Sequence, residues 1–139
     1  LMLAARAALL VGSDEALTAT KTALDAFVLA HAESVEARAL QVRVDVRLGD
    51  ATKLVAAKAL SREAPGDPLV TLALGEAALA ARDPEAATTA LDLLVRAAPT
   101  DADAHFLLGR ARRMGGNAAG AEESFRKAIE LLPQHVEVG

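Results

Sequence analysis

The chain has 139 residues, a net charge of −4, no cysteine and only 2% aromatic residues. The charge argues against a nucleic-acid backbone as partner, and the lack of cysteine excludes a disulfide framework and thiolate chemistry. Hydrophobic residues make up 53%, dominated by Ala and Leu, and few stretches alternate with period two, so the composition points to helices.

Residues 1–11 (LMLAARAALLV) are apolar, but Arg6 interrupts them, no basic segment precedes them, and they fall far short of the ~20 residues of a membrane span. They read as the first helix of a degenerate pair rather than as a signal segment. A chain that starts with Leu rather than Met is expected to be part of something longer or to have a processed terminus. Gly12-Ser13-Asp14 supplies a turn with capping residues, and a helix is expected over 15–30 with Leu17, Leu24 and Val28 on its apolar side. Ser34 can cap the next helix, which runs to about Leu48. Gly49-Asp50 makes the turn, and a partner helix is expected over 51–63.

Asp67-Pro68 combines an N-cap carboxylate with proline at the first helical position, and Asp83-Pro84-Glu85 repeats that start for the partner helix. Over 102–135 two amphipathic segments flank Gly115-Gly116-Asn117. In the second of these, Ala121, Phe125, Ala128, Ile129 and Leu132 fall on one side at three- and four-residue spacing. Glu122 with Arg126 and Glu123 with Lys127 can pair across four residues, Asn117 can cap, and Pro133 stops the helix. In the first segment Ala104, Leu108 and Ala111 share a side. Gly109 costs about 1 kcal/mol relative to alanine inside a helix, so it signals the close approach of the partner helix, expected at the small Ala121.

The internal period ties these segments together. Pro65, Pro99 and Pro133 are separated by two steps of 34 residues, and so are the pairs Leu74-Gly75 and Leu108-Gly109. Leu108-Gly109, Ala121, Phe125 and Pro133 resemble the 34-residue signature of the tetratricopeptide repeat family, L-G, then A-x3-F, then P. Ala87, Leu91 and Pro99 fill the same positions one unit earlier, while His105 and Arg112 stand where the family often has Trp and Tyr. In the unit before that, Leu40-Gln41 is aligned with the Leu-Gly pair. The resemblance implies an all-α fold, a right-handed superhelical array of antiparallel helix pairs. Its units would be 1–33, a degenerate N-terminal pair; 34–67, irregular; 68–101; 102–135; and 136–139, the start of a further repeat or cap, all in one domain.

No catalytic constellation is present. His31, His105 and His135 lie far apart and form no metal-binding spacing. Phosphate-binding glycine loops and nucleophile elbows are absent. The chain is therefore expected not to be an enzyme and to need no cofactor or metal. The Arg110, Arg112, Arg113 cluster reads either as a solvated face or as an anion-binding spot on a partner surface.

By the resemblance, the first helix of each pair lines a concave groove that holds a peptide or another protein. The stripes assigned to it are Val35, Arg38, Val42 and Asp45; Leu69, Leu72, Glu76 and Leu79; and Asp103, Phe106, Arg110 and Arg113. Apolar anchors flanked by arginines favour an amphipathic segment with an acidic group near Arg110 and Arg113. The chaperone-binding subclass uses a Lys, Asn and Arg clamp. Its positions here hold Arg38, Val42, Ala73, Asp103 and Leu107, and only Arg38 keeps the charge, which argues against that ligand. The expected partner is a protein or peptide, without nucleic acid and without membrane insertion. A self-associating scaffold (a homo-oligomer) and a substrate-recruiting segment of an enzyme with its catalytic part elsewhere are the alternatives. The absence of cysteine favours the cytoplasm over the periplasm.

Overall fold

The structure is a computed structural model and describes residues 1–132. Eight helices follow one another: α1 (Met2–Val11), α2 (Asp14–Ala30), α3 (Val35–Arg47), α4 (Leu54–Glu63), α5 (Pro68–Ala80), α6 (Pro84–Ala97), α7 (Ala102–Met114) and α8 (Ala118–Glu130). No strand occurs among the described residues. The expected helix stop at Pro133 and the expected start of a further unit at 136–139 lie outside them.

Short polar residues set the helix starts. Ser13, Ser34, Asp67, Asp83, Asp101 and Asn117 each accept a hydrogen bond from a backbone N–H of the first turn. Each such cap contributes about 1 kcal/mol. The turns inside the last three pairs are copies of one another. Asp50 N–H donates to Asp45 O, Asp83 N–H to Ala78 O and Asn117 N–H to Arg112 O. Just before each donor stands a left-handed residue: Gly49 (φ 97°), Arg82 (φ 58°) and Gly116 (φ 87°). This is the closure that satisfies the last carbonyls of a helix. Arg82 performs it with a side chain where its two counterparts are glycine.

α4 differs from the expected helix over 51–63, because it starts at Leu54 and has no side-chain cap. Asp50 accepts from both the backbone N–H and the hydroxyl of Thr52. That local hydrogen bonding holds 51–53 in a turn and competes with helix.

Three cores run along the array, each closed by the first helix of the next pair. Leu9, Leu17 and Leu24 of α1 and α2 meet Leu40 and Val44 of α3. Val42, Ala57 and Leu60 of α3 and α4 meet Val70, Ala73 and Ala77 of α5. Leu79, Leu91 and Leu94 of α5 and α6 meet Ala104, Leu108 and Ala111 of α7. A fully buried leucine contributes about 2 kcal/mol, so each of the first three pairs is stabilised largely by its successor, as in a solenoid.

Within a pair, side-chain sizes are inverse. A Cβ at Gly75 would lie 2.6 Å from Leu91 Cδ2, and one at Gly109 would lie 2.6 Å from Phe125 Cδ1. In the α3–α4 pair the large residue is on the first helix: Val42 shares a core with the small Ala57. The close approach expected between Gly109 and Ala121 is thus made by the Phe125 ring instead. Lys127 pairs with Glu130 (3.9 Å) rather than with Glu123, while Arg126 and Glu122 pair at 3.1 Å.

Candidate functional site

The first helices of the four pairs, α1, α3, α5 and α7, line one concave groove of about 860 Å³. α1 contributes Arg6, Leu9 and Leu10; α3 Arg43, Val46 and Arg47; α5 Leu72, Glu76 and Leu79; α7 Asp103, Phe106, Leu107 and Arg110. These residues recur at three- and four-residue steps, as one face of a helix requires.

The groove floor carries a charge cluster. Glu76 is buried and receives Arg43 Nε at 2.6 Å and Arg47 Nη2 at 2.9 Å. Arg47 Nη1 also donates to Leu9 O, at 3.1 Å, in the last turn of α1. One carboxylate thus ties α3 to α5, and one guanidinium ties α3 to α1. At the edges, Arg6 meets Glu36 at 3.3 Å on the exposed surface. Arg110 is exposed and makes no ion pair among the described residues.

Of the residues expected here from the sequence, Leu72, Glu76, Leu79, Phe106 and Arg110 line the groove. The α3 residues do not. Val42 is buried in the second core. Asp45 is buried between Lys21 (2.8 Å) and Lys53 (3.2 Å). Arg38 reaches across to Glu63 on α4 at 2.8 Å. Leu69 is half-buried between the first and second cores. Arg113 leaves the groove and lies over the Phe125 ring, 5.6 Å from its centroid.

The α3 error has a geometric cause. Cap to cap, Ser34 to Asp67 spans 33 residues and Asp67 to Asp101 spans 34. Counting back by 34 across a unit of 33 shifts every α3 assignment by one residue, about 100° around the helix. The groove stripe is thereby turned into the core. With the right count Arg43 and Val46 correspond to Glu76 and Leu79, and Val42, not Gln41, corresponds to Gly75. The spacing of the Ser and Asp caps was the signal that would have found Arg43 and Val46.

The remaining singled-out groups have structural partners. His105 Nε2 is 2.9 Å from Pro99 O. Arg112 donates to Ser124 Oγ at 2.8 Å and to Gly120 O at 3.2 Å. Thr22 donates its hydroxyl to Thr18 O one turn back. Beside the groove, Lys21 links Asp45 to Asp25, and the Asp45 hydrogen bond raises the Lys21 ammonium above its ordinary range. Burial pushes the Asp25 carboxyl up, but hydrogen bonds from Gln41 and Lys21 outweigh it and leave it lowered. No group of three or more His, Cys, Asp or Glu able to hold a metal occurs among the described residues. None of their helices is long and apolar enough to cross a membrane.

Compared with known families, residues 72–136 match the tetratricopeptide repeat. This stretch, a little under half of the chain, is similar to that repeat. It includes α6, α7, α8 and most of α5, so the tetratricopeptide match takes in the α5 and α7 walls of the groove. Among solved structures, MamA 41-end from Desulfovibrio magneticus RS-1 aligns with a TM-score of 0.70 at 24% identity, covering 91% of this chain and 71% of that one. A MamA RS-1 ArsTM double mutant aligns with a TM-score of 0.69 at 24% identity, covering 91% and 70%. At that identity the likeness concerns the fold, an array of helix pairs over nearly the whole chain. No curated protein matches the sequence.

Proposed function

We propose that the chain is a non-catalytic protein-interaction module that captures a peptide or helical segment of a partner in the concave groove. The supporting observation is the groove itself: four helices, one from each pair, contribute Leu10, Val46, Leu72, Leu79, Phe106 and Leu107 to its lining. Its central carboxylate is already satisfied, because Glu76 is held by both Arg43 and Arg47, which leaves that cluster a net charge of +1. A ligand therefore meets an apolar wall without displacing that cluster. Such a wall suits the apolar side of an amphipathic segment, recognised by a few anchors in pockets.

Arg110, exposed and without an ion pair among the described residues, adds a further positive charge on this face. A carboxylate on the bound segment would pair with it, adding orientation and a faster encounter more than affinity. The acidic group thus belongs at Arg110 and not at Arg113, whose guanidinium is engaged over the Phe125 ring.

Selection from a random peptide library on the immobilised chain tests this reading. Selected peptides should be amphipathic and acidic, and Leu72→Glu should weaken their binding about 30-fold, the loss of one anchor of about 2 kcal/mol. Peptides that bind Leu72→Glu and wild type equally would overturn it.

A further inference from the structure

Counting from the helix caps places one charged row across the groove. Arg43, Glu76 and Arg110 each stand nine residues after the cap of their own helix, Ser34, Asp67 and Asp101. All three line the groove. They sit at one level on three successive first helices, in the order Arg, Glu, Arg. Val46 and Leu79, twelve residues after the same caps, form an apolar row about one helical turn further along.

Within this row Arg43 is held by one edge only. α3 packs between α1 and α5, and the Arg43 side chain is just 13% exposed. Its Nε donates to Glu76. Its two terminal amino groups make no hydrogen bond among the described residues, and neither is sealed from solvent. Arg47, by contrast, has one terminal amino group on Glu76 and the other on Leu9 O. Glu76 thus orients the Arg43 guanidinium by its Nε edge and leaves the terminal fork open to the groove. That fork matches a carboxylate in two parallel hydrogen bonds.

We propose that the groove takes an extended segment that crosses α3, α5 and α7 and carries two acidic side chains about six residues apart, one in the Arg43 fork and one at Arg110. The proposal rests on the groove reading above and specifies its ligand. Packed helices lie about 9 Å apart, so α3 and α7 are separated by about 18 Å. An extended chain covers that distance in about six residues at about 3.3 Å each. Even spacing keeps both acids on one side of the strand, and the alternate side chains then face the Val46 and Leu79 row. Glu76 stands between the two arginines and disfavours a third acid midway.

Selection from a random library of linear peptides, on wild type and on Arg43→Gln, tests it. Wild type should enrich peptides with Asp or Glu at two positions about six residues apart. On Arg43→Gln one of the two positions should lose its acidic preference while the other keeps it. A second measurement needs no protein variant: each acid of a selected peptide is replaced in turn by its amide. The change facing the nearly buried Arg43 should weaken binding about tenfold, and the change facing exposed Arg110 about twofold. Peptides that depend on Leu72 but lack the spaced acids, or that keep both on Arg43→Gln, would overturn the proposal and leave the groove reading standing. Peptides indifferent to Leu72→Glu, or a selection that enriches none, would overturn both.

Discussion

Gly109 and Phe125 share one space: a Cβ on residue 109 would stand 2.6 Å from Phe125 Cδ1 and Cε1. The missing side chain on α7 is what lets the ring of α8 lie against its backbone. Gly109→Ala gains about 1 kcal/mol of helix propensity, yet forcing the ring aside costs about 1–3 kcal/mol. A net loss of about 1 kcal/mol is expected in urea unfolding. Gly109→Val with Phe125→Ala rebuilds the Val42 and Ala57 arrangement and should be more stable than the sum of the single changes. An alanine variant as stable as wild type would show that the ring does not occupy that space.

Glu76 holds two arginines in the groove floor. Removing it as Glu76→Ala leaves Arg43 and Arg47 beside an uncompensated site, and about 3 kcal/mol should be lost in thermal or chemical unfolding. Replacing Arg43 and Glu76 together by methionine should cost less than the two single replacements added, because the shared interaction is counted once. Additive losses would mean that the 2.6 Å contact carries no coupling.

Arg82 sits at φ 58° where Gly49 and Gly116 close the equivalent turns. A left-handed conformation costs a side-chain-bearing residue about 1–2 kcal/mol, while glycine adds somewhat less than 1 kcal/mol of unfolded-state entropy. Arg82→Gly should therefore stabilise the chain by up to about 1 kcal/mol, read as a raised unfolding midpoint at unchanged slope. A lowered midpoint would contradict the strain.

Acid should loosen the α2–α4 half before the rest. Hydrogen bonds from Gln41 and Lys21 outweigh burial and lower Asp25 below its ordinary 3.8. The Arg38 hydrogen bond lowers Glu63 below its ordinary 4.5, and Thr52 lowers Asp50. For a lowered carboxyl, the unfolded chain binds the proton more readily than the folded one. Its stabilisation is complete above the ordinary value and disappears as pH falls through the lowered one. Lys21 is raised above its ordinary 10.5, so its contribution is complete below that value and lost only in stronger alkali. Unfolding midpoints should thus be flat near neutrality and fall in acid, with a shallower fall for Asp25→Asn. A midpoint that rises on acidification would contradict this.

The helix pairs and most caps were legible in the sequence because they rest on local rules. Ser34, Asp67, Asp83 and Asn117 announce helix starts whatever surrounds them. The α3 wall of the groove was misread because position around a helix depends on counting without error over a whole unit. A single residue fewer between Ser34 and Asp67 moved Val42 and Asp45 into the interior and brought Arg43 and Val46 to the surface. The Glu76 cluster depends on that count too, since Arg43 and Glu76 are 33 residues apart in the chain and meet only once α3 lies against α5. Gly109 did announce a close approach, but which residue fills the gap is a matter of side-chain volume that spacing alone does not specify.

The inner face of α1, α3, α5 and α7 as the capture surface is tested most directly by hydrogen–deuterium exchange. The chain would be measured alone and saturated with a library-selected acidic amphipathic peptide. Added protection should concentrate in α1, α3, α5 and α7, which carry Leu10, Val46, Leu72, Leu79 and Phe106, with α4 and α6 unchanged. Protection confined to α4 and α6, with the groove helices unaffected, would contradict it.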